Sequence, residues 1–298
     1  MTLQLTVSTD KVIAVAGVAG ELRDRFGDDY LAGMWKKDIH KQLCWRALQT
    51  REGARKRGDI YLAPSWSWLS VDALVWPDET YHQTDGHMVI YYTDVLQASV
   101  KARDPSGLHS FESGSLTVRG IAMWASVDDL QPVSTLIRVT AADQEKSAAF
   151  TEALTEHEAD FHFFWDESTH KELADAVMLK NLKSAGHSKV LLLFCHIVYA
   201  KSSSQDNAGV PPLPWLRHKP RLHSDATTYS PEDLAGLVLV PNGSGNFTRV
   251  AKFTKTKGGT VPELVARRLG LEPGIDVAGK MELDDPRLSD LVQTVTVV

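Results

Sequence analysis

Six side chains have types and positions that could support chemistry: Asp72 and His196 as proton-transfer groups, Trp66 and Trp68 as an aromatic wall, and His162 with Asp166 as an imidazole–carboxylate pair. The tryptophans fall in YLAPSWSWLSV, residues 61–71, which reads as an extended segment rather than a helix. Strand alternation sends Trp66, Trp68, Ser70 and Asp72 to one face and Ser65, Ser67, Leu69 and Val71 to the other. An indole wall with a carboxylate at its rim would grip a flat or polycyclic ligand and move one proton. The competing reading packs both indoles between sheet and helices and leaves Asp72 to cap a turn.

His196 lies in the most apolar run of the chain, residues 190–199, where alternation groups it with Leu192, Phe194 and Val198 and points Cys195 and Tyr199 the other way. Desolvation in such a strand disfavours the imidazolium and leaves a neutral base near neutral pH; a satisfied core histidine is the plainer alternative. His162 and Asp166 share a face of FHFFWDE, as a base and its orienter would, although their backbone separation exceeds a direct hydrogen bond unless the side chains lean together.

His40 and Cys44 are one helical turn apart, but a structural zinc needs four ligands and the sequence has neither CxxC nor HExxH. Nor does it contain GxGxxG, GxxxxGK[ST] or GxSxG, and Ser65 and Ser67 have no base at a fixed spacing. The expectation is therefore an activity with no metal and no cofactor.

The 298 residues are 43% hydrophobic and 23% charged, enough chain to bury about three quarters of its unfolded surface. A net charge of −6 disfavours general nucleic-acid binding, which requires clustered Lys and Arg in excess. The one basic cluster, Arg46, Arg51, Arg55, Lys56 and Arg57, reads as a solvated loop. Two cysteines, Cys44 and Cys195, in apolar surroundings imply buried, reduced thiols. The start lacks a signal-peptide pattern and no run is long enough to span a bilayer, so a cytoplasmic protein without membrane association is expected.

These residues must be positioned by an α+β fold: a β-rich barrel or sandwich body, N-terminal helices packed against it, and helical excursions between strands. The chain reads as a single domain over 1–298, with a helical part at 1–50 and a β-rich body at 59–298. Apolar residues recur at helical steps through residues 12–26, with caps at Ser8, Thr9 and Asp10 and a stop at Gly27, and a second helix is expected over 29–47. Strands are expected at 87–102, 114–126, 134–141, 159–166, 189–201, 234–241 and 245–254, with a hairpin loop at 242–246. Helices are expected at 142–157, 172–182 and 261–269, and a long proline-containing loop at 201–231.

Four blocks, DKVIAVAGVAGEL, GDDYLAGMWKKDIHKQLCW, YLAPSWSWLSVD and DLAGLVLVPNGSGNFTRVAKF, occur in that order across nearly the whole chain. They resemble the region that follows the signalling domain in fungal heterokaryon incompatibility proteins, and Gly33 and Asp72 match motif positions of that family. The resemblance implies a fungal origin and a fold neighbourhood. In the family the signalling domain lies upstream of these blocks; here only residues 1–9 precede the first, so that domain is expected to be absent.

Two functions follow as expectations. One is a cofactor-free cyclase, isomerase or lyase of fungal secondary metabolism, with Asp72 and His196 catalytic and Trp66, Trp68, His162 and Asp166 binding a hydrophobic small molecule. The other is a non-catalytic module that binds a protein partner and is related to the incompatibility proteins.

Overall fold

Long runs of Val, Leu, Phe and Thr form a closed five-stranded barrel with further strands paired to its edges. The computed structural model describes residues 8–50, 60–77, 87–130, 161–166, 174–202, 228–256 and 283–298. The chain begins with helix α1 (Ser8–Phe26), followed by the short strands β1 (Tyr30–Leu31) and β2 (Met34–Trp35), helix α2 (Ile39–Gln42), and a two-stranded ribbon of β3 (Arg46–Thr50) and β4 (Ala73–Trp76). The main sheet contains β5 (His87–Tyr91), β6 (Thr93–Ala102), β7 (Phe111–Ser126), β8 (Phe161–Trp165), β9 (Lys189–Ser202), β10 (Thr228–Pro241), β11 (Phe247–Thr256) and β12 (Val292–Val297), with helix α3 (Ala174–Ser184) preceding β9.

The barrel runs β9–β10–β11–β12–β7 and returns to β9 through the pairing of residues 122–126 with 189–193. Strands β5, β6 and β8 pair to β9, β7 and β11, respectively. β9 is apolar on both faces: Val190, Leu192 and Phe194 enter one buried cluster with α3, Trp165 and Phe253, while Leu191, Leu193 and Cys195 enter a second with Leu43, Trp45, Trp66 and Leu69. A strand buried on both sides reads as a continuous apolar run, which is the character of residues 190–199.

The expected α+β class with a β-rich barrel is the one observed. α1 covers its expected span and ends where Gly27, at φ 55°, donates its N–H to Arg23 O at 3.0 Å, a left-handed helix stop. The helix expected over 29–47 is instead a β1–β2 hairpin, a 3-10 turn (Lys36–Asp38), α2 and the start of β3, because Ala32 and Gly33 turn the backbone at φ 46° and 96°. The strand expected over 87–102 divides at Tyr92: its N–H donates to Cys195 O at 2.7 Å, and its carbonyl accepts from Ile121 N, so the chain passes there from the edge of β9 to the edge of β7.

The 242–246 loop is a hairpin in which Asn242 Oδ1 accepts from the N–H groups of Ser244 and Asn246, both at 3.1 Å. The ribbon β3–β4 and strand β12 were not anticipated. The expected elements at 134–141, 142–157 and 261–269 lie outside the described residues. So does the expected loop except for its ends, which are strand: residues 201–202 in β9 and 228–231 in β10.

Gly236 of β10 faces the Leu193 carbonyl and the Phe253 ring so closely that a Cβ would overlap both. Gly236→Ala is expected to cost about 1–3 kcal/mol of stability through overpacking. Thermal unfolding followed by circular dichroism checks this; an unchanged midpoint would contradict the close approach.

Candidate functional site

The tryptophan motif forms a connector rather than a strand. Residues 65–66 turn, Ser67 accepts the Leu69 N–H at 3.0 Å, and Trp68–Ser70 form a 3-10 helix, so the expected alternation does not apply. Trp66 is wholly buried, its carbonyl accepting from Trp45 Nε1 at 2.9 Å, whereas Trp68 is half-buried and donates from Nε1 to Gly33 O at 2.7 Å. Ser67 Oγ donates to Ala32 O. Trp66 is thus core, and of the two indoles only Trp68 is partly open to solvent.

Gly33 combines a φ of 96° with a position where a Cβ would sit 2.8 Å from Trp68 Nε1, so glycine is required there on two counts. Ser65 sits at the barrel seam. β11 and β12 share one register pair, Phe247 with Val297, and Ser65 accepts from Arg249 N on β11 at 3.1 Å while its own N–H and hydroxyl donate to Val298 O beyond β12.

Asp166 and His162 are separated by burial. His162 is exposed in β8 opposite Thr254, whereas Asp166, one residue past the strand, is buried beside Arg249. The Arg249 guanidinium, 0% exposed, donates to Leu43 O at 2.7 Å, Trp45 O at 2.6 Å and Asp166 Oδ1 at 3.2 Å, and lies 3.5 Å from the centroid of the Trp45 ring. Each of these contacts compensates a cation removed from water. Asp166 is accordingly a structural counter-ion.

Asp72 stands near the N-terminal helix. Its charge acts on Lys11, whose ammonium donates to the carbonyls of Trp68 and Val71, both at 3.3 Å, and lies 4.7 Å over the Trp68 ring. Burial brings the Lys11 amine down to about 8, with Asp72 opposing that shift. These contacts fasten α1 onto the 3-10 helix.

His196 belongs to a different and chemically richer cluster. The register of β9 against β10 shifts there, Ala235 facing His196 and Gly236 facing Phe194, so that Cys195 is a bulge residue. The bulge interrupts the alternation expected from sequence: Cys195 stays with Leu191 and Leu193, and His196 turns toward Cys44 and Tyr91 instead of following Phe194. Cys44 is buried in the same cluster as Cys195, and its thiol feels the charges of Cys195 and His196. Burial pushes the Cys44 thiol well up and Cys195 adds to the shift, so it remains a neutral thiol.

Rings connect this interior to the surface. Tyr91, opposite His196 in β5, meets it edge to face at 5.9 Å, and His40 of α2 meets Tyr91 at 4.8 Å. His196 is buried, while Tyr91 and His40 are half-buried. Burial and the neighbouring Lys41 lower the His40 pKa against the pull of Asp38 and Asp94, which leaves a neutral imidazole at neutral pH. His40 and Tyr91 were not recognised as a site from sequence, because their partnership depends on α2 packing beside the β5–β6 crossing. Among the described residues, no group of three or more His, Cys, Asp or Glu is arranged to hold a metal ion.

Compared with known proteins, the chain matches no family model, no curated protein and no solved structure. No helix among the described residues is long and apolar enough to cross a membrane.

Arg249→Met would leave Asp166 and two buried carbonyls without their donor and is expected to cost about 3–5 kcal/mol. His162→Ala, at an exposed position, is expected to change stability by less than about 0.5 kcal/mol. Urea unfolding of both variants checks the contrast, and equal midpoints would contradict the structural role of the Arg249 cluster.

Proposed function

We propose that the chain is a cofactor-free enzyme, a cyclase, isomerase or lyase, that moves protons on a hydrophobic small molecule at the half-buried end of the His40, Tyr91 and His196 column. The observation that carries this reading is the column itself: a neutral imidazole and a phenol in ring contact, backed by a buried second imidazole. Enolisation, double-bond migration and ring closure need one group to remove a proton and another to return it, and His40 and Tyr91 supply such a pair. His196 holds Tyr91 from behind. Of the residues expected from sequence, His196 keeps a place in this site, and Asp72, Trp66, Trp68, His162 and Asp166 do not.

The setting in fungal secondary metabolism rests on the resemblance of the four sequence blocks to the C-terminal region of heterokaryon incompatibility proteins, and a cytoplasmic location on the two buried free cysteines. A second reading, a protein-interaction module related to those proteins, is favoured by the outward side of α1, where Ile13 and Val18 are 57% and 61% exposed.

Deletion of the gene in its host, followed by metabolite profiling, separates the two. Accumulation of one precursor with loss of its isomerised or cyclised product is expected; an unchanged profile would overturn the enzyme reading in favour of the module. With a substrate identified in that way, His40→Ala is expected to lower kcat/KM by about 10²–10⁴-fold.

The pH profile has a defined sign. Because the folded protein holds the His40 pKa below the ordinary value near 6.5, the base stays unprotonated down to and somewhat below that pH, and kcat/KM is expected to fall only as acidity increases further. The same shift contributes stability that is present above about 6.5 and is lost as pH falls toward the folded pKa. A rate still rising between pH 7 and 8 would argue against His40 as the base.

A further inference from the structure

We propose that Asn242 is a site of spontaneous modification, where the side-chain amide closes on the Gly243 nitrogen and then opens with water to aspartate and isoaspartate. Of the four asparagines in the chain, Asn242 is the one followed by glycine. It stands at the start of the β10–β11 hairpin loop, in which residues 243–245 are exposed. A Cβ at Gly243 would meet nothing within 4 Å, so the attacking nitrogen carries no side chain that hinders it, and water has room to reach the reacting atoms.

The loop also holds the amide in a reactive arrangement. Asn242 Oδ1 accepts three hydrogen bonds, from the Ser244 N–H at 3.1 Å, the Ser244 hydroxyl at 2.7 Å and the Asn246 N–H at 3.1 Å. The main chain of Asn242 is fixed as well, its N–H donating to Asn246 O at 2.8 Å and its carbonyl accepting from Gly245 N at 3.3 Å. Donors gathered on one carbonyl oxygen polarise the bond to carbon and stabilise the negative charge that develops there on attack, which is how an oxyanion hole works.

Hydroxide takes the Gly243 N–H proton, and the nitrogen attacks Asn242 Cγ. The new N–C bond places the charge on Oδ1. The Cγ–Nδ2 bond then breaks and ammonia leaves with a proton from water, closing a succinimide ring. Water adds to one of the two imide carbonyls, so that overall one water is consumed and one ammonia released. Opening at Cγ gives aspartate, whose carboxylate still accepts from Ser244 and Asn246. Opening at the main-chain carbonyl gives isoaspartate, which routes the backbone through the side-chain methylene and displaces the carbonyl that accepts from Gly245. The next register pair is Pro241 with Phe247, and Phe247 is the β11 residue that pairs with Val297 of β12, so the modification falls at the barrel seam.

The test incubates the purified full-length protein for several days at physiological temperature and mildly alkaline pH and maps its peptides by mass spectrometry. The expected result is a gain of about 1 Da in the peptide containing Asn242, which separates into aspartyl and isoaspartyl forms. Gly243→Ala, at a position outside the left-handed region and with open space around it, is expected to slow the conversion by about tenfold or more. Ser244→Ala removes one of the three donors and is expected to slow it about threefold. Asn242 left intact while another asparagine converts would overturn the proposal. So would a Ser244→Ala variant that converts faster than the wild type, because the bonds would then restrain the amide rather than activate it.

Discussion

The Arg249 guanidinium is a cation wholly removed from water, and its contacts join parts of the chain far apart in sequence. Its donors reach two carbonyls that flank Cys44 and the carboxylate that follows β8, while its face covers the Trp45 ring. Burying such a charge costs several kcal/mol, offset here by hydrogen bonds to two carbonyls, the Asp166 carboxylate and the Trp45 ring face. That requirement fixes where the segment before β3 runs and where β8 ends. A hydrophobic residue of equal volume could fill the space but would not dictate which carbonyls face it.

The neighbouring backbone extends the constraint. Arg249 N donates to Ser65, and Ser65 donates to Val298 O, so one serine spans the two strands with the least direct pairing in the barrel. From Ser65 the chain continues through Trp66, Ser67 and Trp68, each holding a different N-terminal piece: Trp45, the turn at Ala32, and Gly33. Lys11 then holds α1 to the same connector. The unusual composition of this motif is explained by its number of obligations. Ser65, Ser67 and Trp68 each donate to a backbone carbonyl, Trp66 offers its own carbonyl to the Trp45 indole, and few other side chains have the required reach.

Much of the architecture was legible in the sequence, and the failures have identifiable causes. Strands β7, β9, β10 and β11 were evident from apolar runs bounded by turn residues, and α1 from its period and its glycine stop. The helix expected over 29–47 failed because the spacing of Leu31, Trp35, Ile39 and Leu43 is helical, yet Ala32 and Gly33 adopt left-handed backbone angles that no periodicity records. The tryptophan segment failed as a strand because seryl side chains, Ser67 in particular, satisfy backbone N–H groups that a strand would have paired. β12 was missed although VQTVTV alternates, being short and terminal. Arg249 was not singled out at all: an arginine in a strand reads as solvent-facing until its partners, more than 80 positions away, are known.

The same distinction applies to the candidate site. His196 was identified because an imidazole in an apolar strand is unusual, but its companions depend on tertiary facts: the bulge at Cys195, the crossing at Tyr92 and the packing of α2 against β5. The bulge is the decisive element. In regular alternation His196 would follow Phe194 into the cluster packed by α3, away from both cysteines and from Tyr91. One extra residue in β9 reverses that, and the reversal places a buried imidazole against the Tyr91 ring, which in turn meets the half-buried His40. A barrel needs such irregularities to bend, and this one lies where its bend also sets the chemistry. The hydrogen bonds of Arg249 to the carbonyls of Leu43 and Trp45 and the bulge that orients His196 thus fix the two sides of the one buried cluster that holds Cys44 and Cys195.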